Sequence, residues 1–197
     1  MTKVIGLTGS IASGKSTVSE FLKAQHIPLL DADVIAREVV EKESEGLQKL
    51  VLAFGKEILQ ADGTLNRKKL GQLIFNQEEK RKTLNQILHP LIREAMLRKR
   101  DEAKAQNIPL LVMDIPLLFE TNYADEVDEI VVVAVSPTVQ LQRLMDRNQL
   151  SQAEATARIA TQWPITQKMV LADVVIDNNG TKEETREQVE AWLKKLS

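Results

Sequence analysis

Residues 9–17 read GSIASGKST, and their types and spacing fit phosphate chemistry. Gly9 and Gly14 let the backbone curl so that successive N–H groups point inward at an anion. Lys15 has the length to reach β- and γ-phosphates, and the Ser16 hydroxyl suits a place on Mg²⁺. The stretch matches G-x-x-x-x-G-K-[ST], a loose pattern that needs a strand before it and a helix after it. Both are legible. Lys3–Leu7 is an apolar strand, and Val18, Phe21 and Leu22 line one face of a helix whose N-terminus favours anions.

Carboxylates and arginines elsewhere could complete a phosphoryl-transfer site, which needs an acceptor base, a metal shell and cations over the transferred charge. In LLDADVIAR, Asp31 and Asp33 follow a second apolar run. Either could take a proton from an acceptor hydroxyl or hold Mg²⁺ through water; either could equally cap the next helix. Asp114 closes LLVMD, a position suited to holding Mg²⁺ through water or to a turn before Pro116. Arg143, Arg147 and Arg158 fall on two short helical stretches that could fold over a nucleotide; the alternative is a solvated face. His89 and Arg93 lie one turn apart, near Pro90, which predicts a kink or break there.

The elements that must position these groups alternate. Apolar runs at 3–7, 27–30, 109–113, 129–135 and 173–176 read as five strands, and their continuous apolarity implies a parallel sheet covered on both faces. Between them lie helices with readable punctuation. Gly55 stops a helix bearing Leu47, Leu50, Val51 and Phe54, and Asn66 caps the next. Asn76 with Glu79, Ser151 with Glu154 and Thr181 with Glu184 have capping-box spacing, and Ser136-Pro137 is a helix opening. About eighty residues separate the second and third strands, where a simple crossover needs roughly 10–12. The expected plan is an α/β P-loop fold with a five-stranded parallel sheet. Its nucleotide-binding core covers 1–33, 106–140 and 166–197, with an all-helical insertion at 34–105 and a helical lid at 141–165.

Composition removes other classes. With no cysteine and two histidines, disulfides and cysteine nucleophiles are excluded and a zinc centre has little to be built from. A net charge of -2 argues against a nucleic-acid partner. No apolar run reaches the ~20 residues a membrane span needs. The N-terminus lacks the basic and long apolar regions of a signal peptide. A cytoplasmic monomer is the expectation. No N-K-x-D segment follows a late strand, so a GTPase is not indicated. A small-metabolite kinase fits best, with a non-catalytic nucleotide switch as the reading from another class.

The segments IGLTGSIASGKST, DADVIAR, FGKEILQADGTLNRKKL, HPLIR, DIPLLFE and ADVVIDNNG together resemble the dephospho-CoA kinase family, in order from Ile5 to Gly180. The resemblance implies ATP- and Mg²⁺-dependent phosphorylation of the ribose 3′-hydroxyl of dephospho-CoA, the last step of CoA biosynthesis. It implies Asp33 as catalytic base, acting with Lys15 and Arg147. Gly9, Ala12, Ser13, Gly14, Lys15, Ser16, Thr17 and Arg143 would bind ATP. Asp33, Arg37, His89, Arg93 and Leu117 would meet the acceptor, and Ser16 and Asp114 (through water) the metal. One departure follows ARIATQ, where Trp163 stands in place of the family's usual methionine and bears on lid packing. Short of that resemblance the acceptor stays open, and a nucleoside monophosphate or a sugar acid would serve the same loop and sheet.

Overall fold

The computed structural model describes residues 1–75 and 77–196. Five strands form one parallel sheet: β1 Lys3–Gly9, β2 Leu29–Asp31, β3 Leu110–Asp114, β4 Glu129–Ala134 and β5 Val174–Asp177. Their order is β2-β3-β1-β4-β5. Successive connections run to one side of β1 as far as β3 and then to the other, so the order reverses at β1, where such sheets open a crevice. Leu7 pairs with Asp114, Gly9 with Val133, and Ala134 with Asp177. The carboxyl ends of four strands therefore share one edge.

The chain divides into two compact units, one of Met1–Leu30 with the chain from Ala103 onward, the other of Asp31–Glu102. In the first, helix α1 (Lys15–Ala24) and the C-terminal helix (Lys182–Leu193) cover the sheet. Ile5, Leu7, Val112, Val131, Val133 and Ile176 pack against Val18, Leu22, Val189 and Trp192. Burying each large apolar side chain contributes about 1.5–3 kcal/mol, which makes this sheet a rigid base for the loop above it.

In the second unit, α2 (Ala32–Glu38), α3 (Glu45–Phe54), α4 (Arg67–Ile74) and α5 (Glu78–Ala105) enclose Val40, Leu47, Leu50, Phe54, Ile58, Leu65 and Leu70. Ser44 and Asn66 cap α3 and α4 through the N–H groups of Leu47 and Lys69. The expected cap at Asn76 lies outside the described residues. Of the kink or break expected at Pro90, the break does not occur: α5 runs through it for 28 residues. Proline costs a helix interior roughly 3 kcal/mol. Leu84, Ile87 and Leu88 before it pack on the core, and Leu91 after it lies beside Gly46. Their burial offsets that loss and holds the helix in register.

Back in the first unit, α6 (Pro137–Asn148), α7 (Gln152–Ile159) and α8 (Ile165–Val170) lie between β4 and β5, and α9 is the C-terminal helix. Ser136 caps α6, and capping boxes open α7 and α9, as their spacing predicts. Helix α8 carries no such signal. Among the described residues no helix is long and apolar enough to cross a membrane.

Candidate active site

The loop leaves β1 at Gly9 and ends where Gly14 caps α1, which begins at Lys15. Two residues turn left-handed, Ala12 at φ 61° and Gly14 at φ 82°. For Gly14 that is free; for Ala12 it is uncommon and needs its surroundings to hold it.

Side chains from far along the chain do the holding. Lys168 Nζ donates to the Gly9 carbonyl (3.2 Å), Gln140 Nε2 to the Ile11 carbonyl (2.9 Å), and Asn178 Nδ2 to the Ser13 carbonyl (2.8 Å). A trans peptide is planar, so a fixed carbonyl fixes the next N–H in the opposite direction. Three tethered carbonyls thus aim the N–H groups of Ser10, Ala12 and Gly14 away from the protein body. Gln162 Oε1 accepts the Ile11 N–H (2.7 Å), which anchors the loop's middle.

Helix α1 is also open at its start. Helices α2, α3, α4, α6, α7 and α9 each have a side chain accepting from the first turn. Among the described residues no side chain does so for α1. Its first N–H groups and their partial positive charge suit an anion. The Ser10 and Ser13 hydroxyls are buried with no hydrogen-bond partner among the described residues. Buried hydroxyls in that state ask for a polar ligand, and the donor set of the loop therefore fits a polyphosphate.

Lys15 points from the loop to Asp114, with which it forms an ion pair. Asp114 is almost wholly buried, and its other oxygen accepts from Ser19 Oγ at 2.6 Å. Ser16 is exposed and Thr17 half-buried in the first turn of α1. Arg143 on α6 brings its Nη1 within 3.7 Å of where a Cβ on Gly14 would sit. Arg147, one turn on, is exposed, and its Nε donates to Asn148 Oδ1. Arg158 is exposed on α7 beside Glu154. Leu117, in the turn after β3, is half-buried, and its carbonyl accepts from Thr121. The first unit thus gathers the loop, Lys15, Ser16, Asp114 and Arg143 at one sheet edge.

The remaining sequence candidates belong to the second unit. Asp31 is a helix cap: its carboxylate accepts the N–H groups of Asp33 (2.9 Å) and Val34 (3.3 Å). Asp33 and Arg37 are exposed one turn apart on α2. On α5, His89 is exposed and Arg93 half-buried, again four residues apart and so on one face. Among the described residues no group of three or more His, Asp or Glu side chains is placed to hold a metal.

Sequence reasoning missed Gln140, Gln162, Lys168 and Asn178. Their partners in the loop lie more than 120 residues away; Asn178 falls within the ADVVIDNNG segment, but nothing local ties any of the four to the loop. Trp163 stacks on Phe119, with ring centroids 6.0 Å apart and planes 7° from parallel. The larger ring is accommodated by an aromatic partner from the DIPLLFE segment.

The strand order, with this loop at the carboxyl end of the central strand, defines a P-loop nucleotide-binding fold of the small-kinase kind. A family model described as dephospho-CoA kinase matches residues 3–184. The chain is 53% identical over 195 residues to the dephospho-CoA kinase of Bacillus thuringiensis subsp. konkukian, covering 99% of this chain and 98% of that one. Among solved structures it is similar to dephospho-CoA kinase from Campylobacter jejuni, with TM-score 0.79, 29% identity, and 100% and 98% of the two chains covered. A Thermus thermophilus crystal structure superposes with TM-score 0.77 at 33% identity, with the same coverage of the two chains. The chain belongs to the dephospho-CoA kinase family.

Proposed function

We propose that this chain transfers the γ-phosphoryl group of ATP to the ribose 3′-hydroxyl of dephospho-CoA, giving CoA and ADP. The observation that carries the reading is the open start of α1 beneath a loop whose carbonyls are tied back. Together these offer an array of N–H donors to a triphosphate in a chain of this family.

The residues take the following parts. Residues 12–17 cradle the phosphates through the N–H groups of Ala12, Gly14, Lys15 and Ser16 and the hydroxyls of Ser13 and Thr17, whose own N–H groups donate to the Ser10 and Gly14 carbonyls at 3.0 Å; Gly9 and Gly14 give the backbone its path. Lys15 exchanges Asp114 for the β- and γ-phosphates. Ser16 and Asp114, the latter through water, would hold Mg²⁺, an ion that needs few protein ligands when a phosphate substrate is bound. Mg²⁺ there would supply charge that neutralises the phosphates during transfer. Asp33 aligns the acceptor hydroxyl and takes its proton, the role that the family resemblance implies for it, while Asp31 caps α2. Arg143 binds the nucleotide and Arg147 covers charge on the transferred group. The insertion at 34–105 binds the acceptor through Arg37, His89 and Arg93; Leu117 is a further acceptor contact that the resemblance implies, and 141–165 closes as a lid that keeps water out. The cytoplasm, which supplies ATP, is the compartment this chemistry calls for. A monomer suffices, since every group invoked comes from one chain.

The test is ADP release from Mg-ATP with dephospho-CoA, CMP, dTMP, AMP or gluconate as sole acceptor. Turnover with dephospho-CoA alone, giving a product that co-elutes with CoA, is expected. Turnover with a different acceptor only would overturn the substrate assignment while keeping the loop's role.

A further inference from the structure

Lys168 heads the largest side chains wholly withdrawn from solvent. Its Nζ donates to the Gly9 carbonyl at 3.2 Å and pairs with Glu120 Oε1 at 2.8 Å. That same oxygen accepts the Trp163 N–H at 3.0 Å. The other carboxylate oxygen, Oε2, is buried with no hydrogen-bond partner among the described residues.

Phosphoryl transfer as described uses neither residue. Stability alone gives no reason for them either, because replacing a buried ion pair by apolar groups of similar size is often neutral or stabilising. What the pair touches is informative. Gly9 opens the phosphate loop, and its carbonyl direction sets the direction of the Ser10 N–H. Six residues before Lys168, Gln162 holds the Ile11 N–H. Residues 162–168 therefore grip the loop at two points, and Glu120 ties that segment at Trp163 and at Lys168.

We propose that Lys168 and Glu120 are positioning residues for nucleotide binding. They lock the phosphate loop to the 162–168 segment, so that the loop's N–H groups face the phosphates before ATP arrives. The proposal rests on reading this loop as the ATP site. Positioning of this kind strengthens binding by removing the ordering cost that a loose loop would incur when the ligand docks.

The test is calorimetric titration with Mg-ATP alone, beside thermal unfolding, for Lys168→Met, Glu120→Gln and the double variant. Lys168→Met leaves a buried carboxylate unpaired and is expected to lower both Tm and affinity. The double variant removes that imbalance, so its Tm should return close to the wild-type value. Its Kd for Mg-ATP should stay raised by about tenfold, the loss of one charge-assisted hydrogen bond and the order it brings. In the coupled assay the KM for ATP should rise while that for dephospho-CoA stays within about twofold. A double variant that regains wild-type affinity together with wild-type Tm would overturn the proposal, because the pair would then serve the fold alone. Glu120→Gln keeps an oxygen for the Trp163 N–H and decides the matter if the double variant does not fold. About threefold weaker Mg-ATP binding supports the proposal, and unchanged affinity overturns it. Wild-type protein that binds Mg-ATP yet leaves dephospho-CoA unmodified would sink the substrate assignment and leave this comparison intact. A wild type that binds no Mg-ATP would overturn both.

Discussion

Gly14 and Asn178 approach so closely that a Cβ on the glycine would lie 2.0 Å from Asn178 Nδ2. Asn178 is buried, donates to the Ser13 carbonyl, and accepts from Thr185 Oγ1 at 2.8 Å. The end of β5 and the start of α9 thereby brace the loop. Gly14→Ala meets two penalties, the φ of 82°, costing about 1–2 kcal/mol, and the contact with Asn178. We expect a Tm several degrees lower and Mg-ATP affinity reduced by about tenfold or more. Thermal unfolding with and without Mg-ATP checks this; wild-type values in both would contradict the braced-loop account.

Lys15 and Asp114 form an ion pair in which the carboxylate is nearly sealed from water. Lys15→Ala takes the cation away from that carboxylate, which keeps its hydrogen bond from Ser19 Oγ. A loss of about 3 kcal/mol in stability is expected, along with weaker ATP binding and slower turnover. Adding Asp114→Asn removes the stranded charge, so chemical denaturation should recover toward wild type while activity stays low. Full activity in Lys15→Ala would refute the phosphate-binding role.

Much of this architecture was legible because it is local. The five apolar runs become five strands, with ends shifted by a residue or two. Caps at Asn66, Ser136, Ser151 and Thr181 fall where Ser, Thr or Asn precedes a helical pattern. The loop was legible because its spacing is itself the structure. Other features depend on distance. The placement of β1 between β3 and β4 carries no signature in β1. Lys168 reads as one more surface lysine until α8 folds it under Gly9. Pro90 reads as a helix breaker because proline's cost is local, whereas the packing on either side that outweighs it is tertiary.

Asp31 and Asp33, two residues apart, should separate cleanly on mutation. The Asp31 carboxylate holds the first turn of α2, so Asp31→Ala should cost about 1 kcal/mol of stability and affect turnover mainly through that loss. Asp33→Asn keeps the shape of an exposed side chain and should leave folding and ATP binding near normal. If Asp33 is the base, kcat falls by about 10²–10⁴. Steady-state kinetics on the two variants decides the matter, and near-normal turnover in Asp33→Asn would sink the base assignment.

Acid should loosen the start of α7 through Glu154. Hydrogen bonds from the Ser151 hydroxyl, then from the Ser151 N–H, hold its carboxyl below the usual glutamate range, with help from the Arg158 charge. A depressed folded-state pKa means that the contribution is present in full above the unfolded value. It is lost as pH falls through the folded one. The capping box should therefore hold across neutral pH and weaken only in acid, below the ordinary carboxylate range. Glu154→Gln keeps the box geometry without the charge, so its α7 protection should not change over that window. Hydrogen-exchange protection factors for the first turn of α7, measured against pH in both proteins, test this. Identical pH profiles would show that the Glu154 charge contributes nothing to the cap.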